Sequence, residues 1–359
     1  MKFGQLHLFE NPMGRTEKEI VDEQFDIMVR AEEYGFDSVW PAEHHFSEYG
    51  YCASPAVTLA ALAERTKRIR LGTGVVVLTL NHPIRVAEDY AILDLMSDGR
   101  VDLGVGRGYQ PHEFAGYGVD QTRSRDIFHE SVEIIQKAWT EERFSYEGEF
   151  YRIHDVSVRP KPLQKPHPPI WMASLSPETF ELCGRYGFNL MCAPVFGFNV
   201  NSGAEHIEQY RQALRDHGRD PAHHEIAALT MTYVAETTQQ ALADFRDAVM
   251  WYYRTFAKYI APPKGQGPVP TYEMYTRARD FLEVVEWDAV VQAGAVVCGS
   301  PDQVVDRIGQ IAELCGFTTY LAWTRIGGLA HEKVLRCMEL MAERVMPQLR
   351  GAGATTPAS

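Results

Sequence analysis

The stretch Asp37-Ser-Val-Trp-Pro-Ala-Glu-His-His-Phe46 is where the fold can first be read. A short apolar strand over 36–40 runs directly into a carboxylate and two imidazoles, Glu43-His44-His45, with no glycine or serine to make an ordinary turn. Consecutive side chains of an extended segment point to opposite sides. One histidine therefore faces inward, into a barrel mouth, while the other props the loop. That divergence argues against a paired-histidine metal site. A lone buried histidine is commonly structural, but the neighbours Glu43, His45 and Glu48 tilt His44 towards function.

On either side of this stretch, strand-like and helix-like segments alternate. An apolar run over 2–8 precedes a helix over 17–34, where Ile20, Val21, Phe25, Met28 and Val29 fall at helical spacing. Ser54-Pro55 supplies a cap and a first-turn proline for a helix reaching 66. A buried strand over 69–78, a helix over 86–96, a strand over 100–105 and a long helix over 124–140 follow. Further strands are expected at 170–173, 188–192, 225–235 and 318–323, with a short run at 296–298. Helices fall between them, and one over 331–348 closes the chain. Eight main strands, each before a helix, mean a parallel sheet and, at this length, a closed (β/α)8 TIM barrel as a single α/β domain over 1–350. A doubly wound open sheet is the alternative, but no GxGxxG follows the first strand. Two inserts break the repeat. A hairpin with a proline-rich connector occupies about 143–169, and the glycine- and proline-rich segment 262–276 lies within a stretch of about 260–290. The second reads as an active-site lid or, equally, as a surface excursion without an element of its own.

The 359 residues are 45% apolar, enough for a large core, and carry a net charge of -13. Such charge disfavours nucleic acid and anionic membranes as partners. No apolar run approaches the length of a bilayer span, and Met1-Lys-Phe-Gly-Gln-Leu reads as a first strand and not as a signal peptide. Six scattered cysteines without a CxxC pair suit reduced thiols, a cytoplasmic location and no metal site. The small, polar tail 351–359 is expected to be disordered.

In barrels of this kind the site lies at the C-terminal ends of the strands. The fourth strand leads into Gly104-Val-Gly106-Arg107-Gly108-Tyr109, and the fifth into Ala173-Ser174-Leu175-Ser176-Pro177-Glu178-Thr179. Glycines around Arg107 let backbone approach a ligand closely. Ser176-Pro177 is a cap and first-turn pattern that leaves amides and the nearby hydroxyls of Ser174 and Thr179 at a positive helix end. An arginine beside such an end suits a phosphate monoester. His82 before Pro83 reads as a turn residue, His223-His224-Glu225 as solvated, and the aromatic stretches 251–259 and 281–287 as core or interface.

Several of these segments together resemble the bacterial luciferase-like flavin-dependent monooxygenases, over nearly the whole chain. The residues concerned are Ala42-Glu43-His44-His45-Phe46, Gly72-Thr73-Gly74-Val75-Val76, His82-Pro83-Ile84-Arg85-Val86-Ala87-Glu88-Asp89, Asp94-Leu-Met-Ser-Asp-Gly99-Arg100 and Gly104-Val-Gly106-Arg107-Gly108. Pro169-Ile-Trp-Met-Ala-Ser174, Ser176-Pro-Glu-Thr179, Gly299-Ser300-Pro301 and Gly327-Gly328 continue the match.

The resemblance implies a barrel that binds reduced FMN as a diffusible co-substrate delivered by a separate NAD(P)H:flavin reductase. Its phosphate contacts fall on Arg107, Ser176 and Thr179, with Ser174 and the Tyr109 backbone close by. Gly74-Val75, matching a non-prolyl cis peptide of the family, and Gly106 fall beneath and beside the flavin ring. The implied reaction is oxygenation of a small organic substrate with dioxygen through a flavin 4a-hydroperoxide. His44 is the implied catalytic histidine, oriented by Glu43 and His45, and a homodimer is implied as well. Light-emitting members carry a cysteine where this chain has Gly106, and basic residues where it has Glu283 and Glu286, so light emission is not expected. A deazaflavin-dependent hydride-transfer enzyme of the same fold and a non-catalytic flavin-binding protein are the alternatives.

Overall fold

The computed structural model describes residues 1–195, 200–265 and 267–350; the tail 351–359 lies outside the described residues. Eight parallel strands run in chain order: β1 (Lys2–His7), β2 (Ser38–Pro41), β3 (Arg70–Gly72), β4 (Val101–Gly106), β5 (Ile170–Ser174), β6 (Asn189–Cys192), β7 (Ile226–Val234) and β8 (Thr319–Trp323). Each pairs with the next, and β8 returns to β1 with Thr319 opposite Lys2 and Ala322 opposite Gln5, which closes the barrel. The short strand Val297–Gly299 pairs only with the C-terminal end of β7 and adds no barrel strand.

Helices fill the crossovers: α1 (Glu17–Glu33), α2 (Pro55–Ala63), α3 (Pro83–Met96), α4 (Pro111–Tyr117), α5 (Ser124–Thr140), α6 (Pro177–Tyr186), α7 (Val200–Asp216), α8 (Thr238–Tyr259) and α9 (Glu273–Leu282). Local chemistry explains where they start. Thr16 and Glu19 form a reciprocal capping box at α1, and Ser54 caps α2 before Pro55. His82, expected only as a turn residue, accepts from the Ile84 amide and caps α3. The α1 stripe Ile20, Gln24, Ile27, Met28 and Ala31 is buried, as its spacing requires. Among the described residues no helix is long and apolar enough to cross a membrane, and all six cysteines are free.

Four segments differ from the sequence reading. The strand expected over 69–78 pairs only at 70–72, then resumes at Val76–Val77 after a cis Gly74–Val75 peptide. Between the two pieces the Thr73 amide still donates to the Asp102 carbonyl, while its hydroxyl donates to the Gly104 carbonyl and accepts from its amide, so a side chain takes up the pairing with Gly104. A Cβ on Gly104 would run into the Thr73 carbonyl, which is why this approach needs glycine. Helix α4, unanticipated, runs from Pro111 to a left-handed Gly118. The segment 262–276 is not free of elements, because α9 begins inside it at Glu273, with Tyr272 and Tyr275 seated against Gly108 and Tyr109 of the loop after β4. Finally, the closing helix is helical over His331–Leu340, widens to a π-turn at Met341–Val345 and resumes to Arg350. The hairpin Phe144–Glu147 with Arg152–Val156 forms as expected.

One buried ion pair closes the seam between β1 and β8. Arg325 donates to the carbonyls of Glu10 (2.8 Å) and Gly327 (3.1 Å), and its guanidinium lies 3.4 Å from the Glu10 carboxyl and 3.6 Å from that of Glu23. Burial outweighs the guanidinium's attraction and pushes the Glu10 carboxyl up to about 7. The folded chain therefore keeps this proton between about 4.5 and about 7, where the unfolded chain releases it. Stability from this group is full below that window and falls as pH rises through it. Glu10→Gln is expected to flatten the decline, read as denaturant midpoints across the same window. An unchanged profile would remove Glu10 as its source.

Candidate active site

The C-terminal ends of the strands enclose a cavity of about 1510 Å³, counting its open mouth. Leu6 and Leu8 of the β1 arm, Met172, Met191, Leu229, Met231 and Trp323 make its floor apolar.

His44 follows β2 by three residues and lines the cavity with its side chain only 8% exposed. Its Nδ1 lies 2.9 Å from Glu113 Oε1, and the same oxygen accepts the His45 amide at 2.8 Å. Burial pushes the Glu113 carboxyl up, but His44, the His45 amide and His112 outweigh it and hold the group below the usual carboxylate range. An ionised carboxylate only accepts, so Nδ1 carries the hydrogen. In the neutral ring Nε2 is then a lone-pair acceptor. It lies 3.4 Å from the Tyr109 hydroxyl.

His45 points the other way, as the strand geometry requires. Its Nε2 lies 3.0 Å from Glu43 Oε1 and its Nδ1 3.2 Å from the Tyr117 hydroxyl. Glu43 was expected to orient His44, and the structure corrects this. Its carboxylate accepts from His45 Nε2, from the Val77 amide (2.9 Å) and from Asn81 Nδ2 (2.8 Å), and so ties the loop after β2 to the segment after Gly74–Val75. The carboxylate that holds His44 is Glu113. His45 contributes to that contact through its backbone amide alone.

The other end of the cavity holds the expected anion-binding set. Arg107, Ser174, Ser176 and Thr179 all line it, with Gly74, Val75, Gly106 and Gly108 between them and His44. Ser176 caps α6 before Pro177, and Thr179 Oγ1 donates to the Ser176 carbonyl at 2.7 Å. The Ser174 hydroxyl is committed to the Thr179 carbonyl at 3.1 Å, so it shapes the turn. Arg107 lies over the Tyr272 ring at 5.0 Å and reaches Thr271 Oγ1 at 3.3 Å, leaving further N–H groups of its fork for a ligand. The Tyr109 carbonyl accepts from Gln121, while its ring stacks on Tyr275 and its hydroxyl turns towards His44. Tyr109 therefore belongs to the histidine end as much as to the anion end.

Sequence reading did not single out Glu113, Tyr49, Tyr252, Phe256, Tyr272 or Tyr275, all of which line the cavity. For Glu113 a signal existed, since Pro111 and Gly118 bracket a short helix whose one acid is Glu113. The stretch 251–259, read as core or interface, supplies Tyr252 and Phe256 to the wall. Among the described residues no group of His, Cys, Asp and Glu side chains could hold a metal ion.

The geometry can now be set beside known proteins. A family model described as luciferase-like monooxygenase matches residues 1–319. The chain belongs to the luciferase-like monooxygenase family. The oxygenase component of the flavin-dependent trigonelline monooxygenase of Acinetobacter baylyi is 27% identical to this luciferase-like monooxygenase over 356 residues, covering 95% of this chain and 93% of that one. Among solved structures, the monooxygenase RslO1 of Streptomyces bottropensis superposes with a TM-score of 0.84 at 30% identity, covering 97% and 100% of the two chains. The oxygenating constituent of 3,6-diketocamphane monooxygenase from Pseudomonas putida, a type II Baeyer-Villiger monooxygenase in complex with FMN, superposes with a TM-score of 0.79. At 21% identity, over 97% and 98% of the chains, that likeness is one of fold.

Proposed function

We propose that this luciferase-like monooxygenase binds reduced FMN delivered by a separate NAD(P)H:flavin reductase and uses dioxygen to oxygenate a small, predominantly apolar substrate. The observation that carries the reading is one cavity with two chemically distinct ends: Arg107 with the Ser176–Thr179 turn at one, and His44 backed by Glu113 at the other. The relative named as an oxygenase component supports the separate reductase, and the FMN complex of the fold neighbour supports the cofactor.

The residues present fit FMN. Arg107 and the Ser176 and Thr179 hydroxyls at the α6 end suit its phosphate. The ring fits between them and His44, where Gly106 leaves room that a Cβ would take from Val75. When bound, reduced flavin supplies the electrons that activate dioxygen. The chain's own part is to orient the reactants, exclude water and move a proton at His44 Nε2. The stretch of about 260–290 serves as the lid, with Tyr272 and Tyr275 already over Arg107 and Tyr109. The protein works in the cytoplasm as a homodimer, for which Val57 of α2 and Ile92, Leu95 and Met96 of α3 offer exposed apolar side chains.

Anaerobic titration with reduced FMN and reduced riboflavin tests the assignment. FMN should bind more tightly, and Arg107→Ala should weaken FMN alone, by the ~1.5–3 kcal/mol of a charge-assisted hydrogen bond, or about 10–150-fold. Equal affinities for FMN and riboflavin, or tighter binding of a deazaflavin coenzyme, would overturn it. Dioxygen uptake coupled to an oxygenated product separates an enzyme from a flavin carrier, which would release only peroxide.

A further inference from the structure

Three tyrosine hydroxyls form a continuous chain along the cavity wall and end on His44. Tyr49 Oη lies 2.9 Å from Tyr252 Oη and 3.0 Å from Tyr109 Oη, and Tyr109 Oη lies 3.4 Å from His44 Nε2. Tyr49, the middle member, is 2% exposed, packed edge-on against the His44 ring at 4.7 Å and stacked with Phe256.

The direction of the chain is forced. Glu113 accepts, so His44 Nδ1 donates, and in the neutral ring Nε2 accepts. Tyr109 must then donate to Nε2. Having one hydrogen, it accepts from Tyr49, which in turn accepts from Tyr252. The Gln110 side-chain amide lies 3.4 Å from both Tyr109 Oη and His44 Nδ1, and because Nδ1 donates to Glu113 the amide donates to the Tyr109 oxygen, which agrees with this order. Burial raises all three phenols above their ordinary range, so they stay neutral while passing protons.

We propose that Tyr252, Tyr49 and Tyr109 are a proton relay that charges His44 along the cavity wall. A hydronium ion of the cavity solvent gives a proton to the Tyr252 oxygen and leaves as water, while the Tyr252 hydrogen passes to Tyr49, the Tyr49 hydrogen to Tyr109, and the Tyr109 hydrogen to His44 Nε2. Four O–H bonds break, three O–H bonds and one N–H bond form, and the positive charge ends on the imidazole beside Glu113. The reversed sequence returns the proton. Tyr49 is thus a positioning residue that acts through Tyr109 and His44. This rests on the flavin monooxygenase reading for its purpose but not for its geometry.

Two measurements test it. In flavin-free protein with ring-15N-labelled histidine, His44 should show a protonated Nδ1 and a hydrogen-bonded, unprotonated Nε2. Tyr109→Phe should move the Nε2 resonance towards that of an unbonded imidazole nitrogen, and Tyr49→Phe should move it part of the way, because a donor chain polarises cooperatively. The opposite tautomer, or no shift in either variant, would overturn the relay whatever the cofactor. The second is single-turnover oxidation of bound reduced FMN by dioxygen, FMNH⁻ + O₂ + H⁺ → FMN + H₂O₂, in mixtures of light and heavy water. The wild type should give a curved proton inventory, with several protons in flight. Tyr49→Phe should give a linear one at a rate on the order of 10²-fold lower, with flavin affinity unchanged. Identical inventories would sink the proposal, and Tyr252→Phe supplies the same comparison if Tyr49→Phe does not fold. Failure of reduced FMN to bind would count against the proposed function and leave the resonance test standing.

Discussion

Replacing His44 with Ala is expected to slow substrate oxygenation by about 10²–10⁴-fold, the usual contribution of a positioned acid–base group, while the affinity for reduced FMN stays that of the wild type. His44 lines the cavity, and its Nε2 lies 3.4 Å from the Tyr109 hydroxyl. Arg107, Ser176 and Thr179, the residues proposed to hold the phosphate, make no hydrogen bond to His44 among the described residues, so removing the imidazole should leave cofactor affinity unchanged. The measurement is dioxygen uptake coupled to product, with flavin affinity determined separately by anaerobic titration. Wild-type turnover in His44→Ala would remove the residue from the chemistry. A parallel loss of flavin binding would mean that the imidazole packs the cofactor and moves no proton.

Glu113→Gln is the second large effect. The substitution keeps size and leaves one oxygen, but it introduces an amide donor where an ionised carboxylate now accepts from both His44 Nδ1 and the His45 amide. The Gln oxygen can still accept both bonds, but it lacks the negative charge that stabilises an imidazolium at His44, and the flipped amide would turn a donor towards Nδ1 and favour the tautomer with the proton on Nε2. In Ser-His-Asp enzymes the analogous carboxylate-to-amide change costs about 10⁴ in kcat, and a kcat loss in the range of about 10²–10⁴ is expected here. The loss should fall on kcat with KM little changed, because Glu113 acts through the charge and orientation of His44. Adding it to His44→Ala should cost little more than His44→Ala alone, since the two act as one unit. Additive losses in the double variant would show that Glu113 works independently of His44.

The sequence made half of this site legible. Glu43-His44-His45 announced one inward imidazole because alternation along an extended strand is a local property, and the structure turns His44 in and His45 out accordingly. Arg107, Ser176 and Thr179 were legible for a similar reason, since a glycine-rich strand end and a Ser-Pro helix start are written in a few adjacent residues. Glu113 was missed because it lies 69 residues from His44 and reaches it only through a seven-residue helix. Glu43 was over-read on sequence proximity, and its carboxylate is committed to the neighbouring loop. The strand over 69–78 was read as continuous because hydropathy registers apolar residues and cannot show that Thr73 takes over the pairing with Gly104.

By itself, then, the sequence determined the eightfold alternation, the closed barrel and which strand-end residues line the cavity, because periodicity, capping and turn residues act over a few positions. The tertiary structure alone decided which acid fixes the His44 tautomer, and that Tyr49, Tyr109 and Tyr252, up to 203 residues apart, share one hydroxyl chain. Hydrogen bonds are short and directional, so partnership depends on how barrel closure brings distant loops together, and no local pattern encodes that distance.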